Sequence, residues 1–237
     1  MLRIRQLTKR YGDKVAVENV DLHVEAGKIT AFIGHNGAGK TTTLKCSCGI
    51  LDFDEGEIEI NGISIKERPV EAKKQLAYIP DNPNLYEYLS GIKYLEFIAD
   101  VFGIDEELRR ERIEEYSQLF GLRSELGNKI GTYSHGMKQK LAVISALIHA
   151  PKLMMLDEPF VGLDPVATHQ LKVLMRQMCD RGSAIFFSTH ILEVAEKLCD
   201  HVIIIRNGKI VVAGTMEEVR GDTSLENVFL ELEEQHV

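Results

Sequence analysis

Ile29-Thr30-Ala31-Phe32-Ile33-Gly34-His35-Asn36-Gly37-Ala38-Gly39-Lys40-Thr41-Thr42 is the stretch that decides the fold. Its first five residues are mostly apolar and do not alternate, which reads as a strand buried on both faces. The run from Gly34 to Thr41 then fits the pattern Gly-x4-Gly-Lys-Ser/Thr. Glycines let the main chain curl until successive N–H groups point inward, forming a nest for a polyphosphate. A helix starting near Lys40 aims the positive end of its dipole at the same point. Lys40 is then placed to reach the terminal phosphates, Thr41 to ligate magnesium through its hydroxyl, and Thr42 to add a phosphate contact. An accidental match to this pattern has a chance of roughly one in a hundred in a chain of this length. A dinucleotide site is not competitive, because Gly-x-Gly-x-x-Gly is absent from this turn. The stretch predicts a site for a nucleoside triphosphate.

Magnesium held by such a loop needs a carboxylate at the end of a neighbouring strand. Leu153-Met154-Met155-Leu156-Asp157-Glu158 offers two, after four apolar residues. Asp157 suits the metal shell, and Glu158 suits a general base that polarises the attacking water. A solvated acidic turn is the bland alternative, and the phosphate loop outweighs it.

Working outward, residues 2–7 alternate with period two, Gly12-Asp13 marks a turn, and residues 57–60 and 76–79 read as short strands. Asn61-Gly62 signals a hairpin. Residues 184–187 form another buried parallel strand, and residues 202–205 and 210–212 close a hairpin through Asn207-Gly208. Between residues 89 and 150 the pattern is helical, punctuated by Gly103, Gly121, Gly127 and Gly131, while residues 224–234 make a short amphipathic helix. The expected fold class is α/β: a P-loop NTPase core with a mixed sheet, an N-terminal antiparallel β part and an inserted helical lobe. One domain over residues 1–237 is expected, with the core lobe at about 1–88 and 151–215, the helical lobe at about 89–150 and a helical tail at about 216–237.

Composition narrows the classes. With 44% hydrophobic residues among 237 the chain can bury a large core. Asp plus Glu outnumber Lys plus Arg by 36 to 28, a formal net charge of -8, which argues against a nucleic-acid partner. No run approaches the ~18 apolar residues of a membrane helix, and Met1-Leu2-Arg3-Ile4-Arg5 does not open a signal peptide. The chain is therefore expected not to cross a bilayer itself. Cys46, Cys48, Cys179 and Cys199 are expected as small core residues in a reducing compartment. The histidines other than His135 and His190 show no metal-ligand spacing.

With both nucleotide motifs in view, the chain resembles, over essentially its whole length, the nucleotide-binding subunit of an ATP-binding cassette (ABC) transporter. Tyr133-Ser134-His135-Gly136-Met137 stands where that family has its Leu-Ser-Gly-Gly-Gln signature. Gly162-Leu163-Asp164 matches the loop after the catalytic glutamate, His190 the switch histidine, and Tyr11 the aromatic stacked on adenine. The resemblance implies ATP and Mg2+ as cofactors, with Glu158, His190 and Lys40 catalytic. It implies that Tyr11, Gly34, Asn36, Gly37, Ala38, Gly39, Lys40, Thr41 and Thr42 bind ATP, and that Ser134 and Gly136 do so across a dimer. Ser134 is also a good N-cap for a helix bearing Met137, Leu141, Ile144 and Ile148 on one stripe. Thr41, Asp157 and Asp81 are the implied magnesium ligands. Implied partners are an integral membrane transporter subunit and a second ATPase subunit, at the cytoplasmic face of the cell membrane. Residues 82–89, with Leu85, Tyr86, Tyr88 and Leu89, fall near the family's groove for a helix of the membrane subunit; packing within the helical lobe is the equal alternative.

Two departures are visible. His135 and Met137 replace a Gly and the Gln of the signature, and Asp81 stands where the family usually has Gln. A Gln amide donates and accepts, whereas an ionised Asp only accepts. These keep open a regulatory clamp that hydrolyses ATP weakly. A soluble cassette ATPase of translation or DNA repair is a further alternative, disfavoured by the single cassette and the acidic charge.

Overall fold

The structure, a computed structural model, describes residues 1–234. The N-terminal third contains β1 (Leu2–Tyr11), β2 (Lys14–Val24), β3 (Ile29–Ile33), α1 (Lys40–Ser47), β4 (Glu55–Ile60), β5 (Ile63–Ser64), α2 (Pro69–Lys74) and β6 (Leu76–Ile79). Three longer helices follow, α3 (Gly91–Val101), α4 (Glu106–Leu119) and α5 (His135–Leu147). The chain then runs through β7 (Leu153–Asp157), α6 (Pro165–Asp180), β8 (Ala184–Thr189), α7 (Leu192–Leu198), β9 (His201–Arg206) and β10 (Lys209–Thr215). It closes with α8 (Met216–Arg220) and α9 (Leu225–Glu234). The last three residues of the expected tail lie outside the described residues.

Two sheets organise these elements. The first is antiparallel, in the order β2-β1-β4-β5, and the second runs β10-β9-β3-β8-β7-β6. In the second sheet β3 pairs in parallel with both β8 and β9, and β7 with both β6 and β8, while β10 returns antiparallel along one edge. The mixed sheet and the antiparallel N-terminal part match expectation. β3, β7 and β8 are buried at every position, the condition for strands covered on both faces. Both hairpin signals hold for one reason: Asn61 and Gly62, like Asn207 and Gly208, have positive φ at both central positions. That is the backbone of a type I′ turn, whose twist suits paired strands.

The central sheet divides two apolar clusters. Phe32, Phe186, Met155 and Leu153 face α1 and the antiparallel sheet, joining Leu2, Ile4, Leu44 and Ile58. Ile33, Phe187, Leu156 and Met154 face the other way, toward Leu95, Ile113, Leu141, Ile144 and Leu171 of the longer helices. Alternation along each strand thus sends successive side chains into different cores. α5 is buried more widely than its expected stripe: Ala142, Val143, Ala146 and Leu147 are buried besides Leu141, Ile144 and Ile148, and Met137 is only partly covered. The helix lies sandwiched between α3 and α4 on one side and β6 on the other, so both its faces need apolar residues.

The four cysteines are buried and free, and burial pushes the Cys46 and Cys179 thiols up to about 11. Among the described residues no helix is long and apolar enough to cross a membrane. At the expected interface segment the alternatives divide by residue. Leu85 is buried and Leu89 packs against the core, whereas Tyr86 and Tyr88 are exposed in a surface cluster with Tyr94 and Phe97.

Candidate nucleotide site

β3 delivers the phosphate loop to the end of the parallel sheet, beside the ends of β7 and β8. Gly39 precedes α1 at φ 113°, and the helix has no side-chain cap at its N-terminus. Its first N–H groups therefore face the loop rather than a cap, whereas Ser90, Asp105, Ser134 and Asp164 cap α3, α4, α5 and α6. A β-carbon on Gly39 would lie 2.8 Å from the Ala16 carbonyl oxygen, so the close approach of β2 to the loop requires glycine.

A cleft of about 530 Å³ opens here. Tyr11, Asn36, Gly37, Gly39, Lys40, Thr41, Thr42, Asp81, Asp157 and Glu158 all line it, which brings together most of the residues expected to hold nucleotide and metal. Gly34 and Ala38 lie behind the wall. Gly34 packs so closely on β9 that an added β-carbon would collide with the Ile205 carbonyl oxygen, and the Ala38 carbonyl accepts from the Gly208 amide at 2.9 Å. Tyr11 lines the cleft and is 49% exposed, with the Lys9 ammonium 5.4 Å from its ring centroid. The Lys40 side chain is 7% exposed, and its ammonium donates to the carbonyls of Gly34 (2.5 Å) and His35 (3.1 Å). Burial pulls that ammonium below the ordinary lysine range, and the carboxylates of Glu158 and Asp157 push it partly back.

The acidic end of β7 is held with care. Thr41 Oγ1 donates to Asp157 Oδ2 at 2.7 Å, and Ser188 Oγ donates to the other carboxylate oxygen. Ser188 also accepts from the Glu158 amide, through its carbonyl and its hydroxyl, both at 3.2 Å. Those bonds fix Glu158 at φ 50°, a backbone region seldom used by a residue of this type. Its Oε1 lies 2.9 Å from His190 Nδ1, while Oε2 is buried without a hydrogen-bond partner. His190 thus reaches the cleft through Glu158 rather than by lining it.

The signature segment sits elsewhere. Ser134 caps α5 by accepting from the Met137 amide at 3.2 Å, and Gly136 and His135 pack on Gly162, away from the cleft of their own chain. A β-carbon on Gly136 would meet the Gly162 carbonyl at 2.7 Å. Lys140 ties α5 to the same loop through Asp164, at 2.6 Å. The Lys140 contact, with help from the Ala167 amide, holds the Asp164 carboxyl below its usual range.

Sequence reasoning left out Ser188, Lys140 and the cleft wall formed by Ala16, Asn207 and Gly208. Ser188 carried a signal: it opens a Ser-Thr-His run at the end of a buried strand, where a hydroxyl needs a partner. The donor set at Thr41, Asp157 and Asp81 is all oxygen, one hydroxyl and two carboxylates, which fits Mg2+ completed by phosphate and water.

Residues 17–161 match the ABC transporter family model. This chain belongs to the ABC transporter family. It is 36% identical to the ABC-type transporter ATP-binding protein EcsA of Bacillus subtilis, covering 98% of this chain and 96% of the relative. It is 32% identical to the ABC transporter ATP-binding protein NatA of the same organism, over 92% and 91% of the two chains. A solved ATP-binding subunit of an ABC transporter superposes with a TM-score of 0.95 at 36% identity, covering 98% of this chain and 99% of that one. A dimeric cassette in a post-hydrolysis state with ADP and Pi shares the fold, with a TM-score of 0.82 at 23% identity. As a member of this family the chain is an ATP-binding ATPase subunit of a transporter.

Proposed function

We propose that this ABC ATPase hydrolyses ATP at the cleft between the phosphate loop and the end of β7, with Glu158 as general base. The observation that carries the reading is the run of contacts from Thr41 through Asp157 and Ser188 to Glu158 and His190. Lys40 and the loop amides bind the phosphates, and Tyr11 stacks on adenine. Thr41, Asp157 and Asp81 hold Mg2+, which supplies positive charge to the phosphate oxygens when bound. Glu158 lines the cleft with Oε1 held by His190 and Oε2 buried without a partner, so its carboxylate takes a proton from water once the side chain turns toward the cleft. His190, beside the base, senses the terminal phosphate.

Ser134 and Gly136 face outward from the cleft of their own chain, which supports completion of each site by a second copy of this chain. In that arrangement closure on ATP and release after hydrolysis form the working stroke. A separate membrane subunit, docked near the exposed Tyr86 and Tyr88, converts the stroke into transport at the cytoplasmic face of the membrane. Residues 1–237 act as one domain, with a core lobe at about 1–88 plus 151–215, a helical lobe at about 89–150 and the tail at about 216–237.

The paired Glu158 and His190 favour an active ATPase over a weakly hydrolysing clamp, despite Asp81, His135 and Met137. A steady-state phosphate-release assay, with and without the reconstituted membrane subunit, tests this. Turnover that needs Glu158 and rises with the partner is expected. No turnover in either condition would favour the clamp.

A further inference from the structure

α9 lies over the back of the phosphate loop, and the contact is built from several side chains. His35, at a variable position of the loop motif, sets its Nε2 3.2 Å from Glu233 Oε2 and its ring edge-on to Phe229, with centroids 5.0 Å apart. The Arg206 guanidinium, at the end of β9, donates to the Leu232 carbonyl of the same helix. A cavity of about 280 Å³ runs beneath, between Asn36 and Gly37 on the loop side and Arg206 and Glu233 on the other.

The two ends of this strap are tied to parts that matter. On the loop side, the His35 carbonyl accepts from both Lys40 Nζ and the Ala38 amide, each at 3.1 Å. The residue gripped by α9 therefore helps to set the lysine expected on the phosphates. On the other side, Leu225 at the start of α9 is fully buried and its amide donates to Glu196 of α7 at 3.0 Å. Glu196 also pairs with Arg220 of α8 at 3.2 Å. α7 begins two residues after His190, so α9 spans from the helix behind the switch histidine to the phosphate loop.

We propose that His35 is a positioning residue for ATP, held by Phe229 and Glu233 of α9, which makes the tail helix part of the nucleotide site. The inference rests on the phosphate-loop reading. A loop curled to aim its amides inward has few internal contacts, and a side chain pinned from outside narrows its conformations before nucleotide arrives. Restraint of this kind acts on binding; the base and its water are untouched.

The test is a double-mutant cycle on the full chain, combining His35→Ala with Phe229→Ala and reading ATP Kd by calorimetry together with KM and kcat. Each single variant should raise Kd and KM roughly 2- to 10-fold, the worth of one aromatic edge contact, with kcat kept. The double variant should be no worse than either single one, and Phe229→Tyr should restore wild-type affinity. Additive losses, an unchanged Kd, or a loss confined to kcat would overturn the proposal. Should Phe229→Ala fail to fold, the cycle of His35→Ala with Glu233→Ala, which removes the acceptor facing His35 Nε2, takes its place, and the same outcomes support or overturn the proposal. Lys40→Ala in parallel separates the two levels. If it binds ATP like wild type, the phosphate-loop reading fails; if it loses binding while the cycle is additive, only the role of α9 fails.

Discussion

At the scale of single residues the site is a set of short polar contacts enclosed by apolar strands. Asp157 is 3% exposed, and the bonds donated to its two oxygens by Thr41 and Ser188 offset the cost of burying them. Ser188→Ala would leave one buried oxygen without its donor; a fall in both stability and kcat is expected, checked by thermal melting and phosphate release. Lys40→Ala removes a charge-assisted contact worth about 1.5–3 kcal/mol, roughly 10- to 100-fold in ATP Kd by calorimetry. Undiminished binding would count against the loop. The cysteines offer a check on burial. With burial raising the Cys46 and Cys179 thiols to about 11 and pushing Cys48 and Cys199 well above the ordinary thiol range, thiolate forms only at strongly alkaline pH. At a pH of about 8 the native chain should leave Ellman's reagent uncoloured over minutes, while the denatured chain should titrate all four thiols. Rapid native labelling would show that these positions are open.

Among the elements, those most legible in the sequence are the ones whose environment is uniform. β3, β7 and β8 are buried on both faces, so their apolar runs name them without help from periodicity. The glycine loop was legible because its backbone geometry restricts residue choice. β2 and α6 were not named from the sequence. Residues 20–24 of β2 alternate cleanly, buried Val20, Leu22 and Val24 with exposed Asp21 and His23, but the exposed pair Glu18-Asn19, with Asn19 at φ 49°, interrupts the period, and the pairing with β1 breaks register three times. α6 left a signal that went unused, Asp164 as N-cap before Pro165. Contacts between distant segments, such as His35 with Glu233 or Lys140 with Asp164, leave no local trace at all. The packing of the loop on β9 yields a prediction. Gly34→Ala drives a β-carbon against the Ile205 carbonyl, an overpacking cost of about 1–3 kcal/mol. Tm should fall by roughly 2–10 °C and ATP affinity with it, as read by calorimetry. An unchanged Tm would mean that β3 and β9 separate easily there.

For the whole molecule, Ser134 and Gly136 of the signature segment stand outside the lining of the cleft, with Gly136 packed on Gly162. In the proposed arrangement ATP is shared between two copies, so association depends on nucleotide. The measurement that bears most directly on that account uses Glu158→Gln with Mg-ATP, reading phosphate release and molar mass by light scattering on a sizing column. Loss of the general base should slow release by about 10²- to 10⁴-fold while ATP still binds, leaving a stable dimer of twice the chain mass. Phosphate release at the wild-type rate, or a variant that stays monomeric with ATP bound, would contradict it.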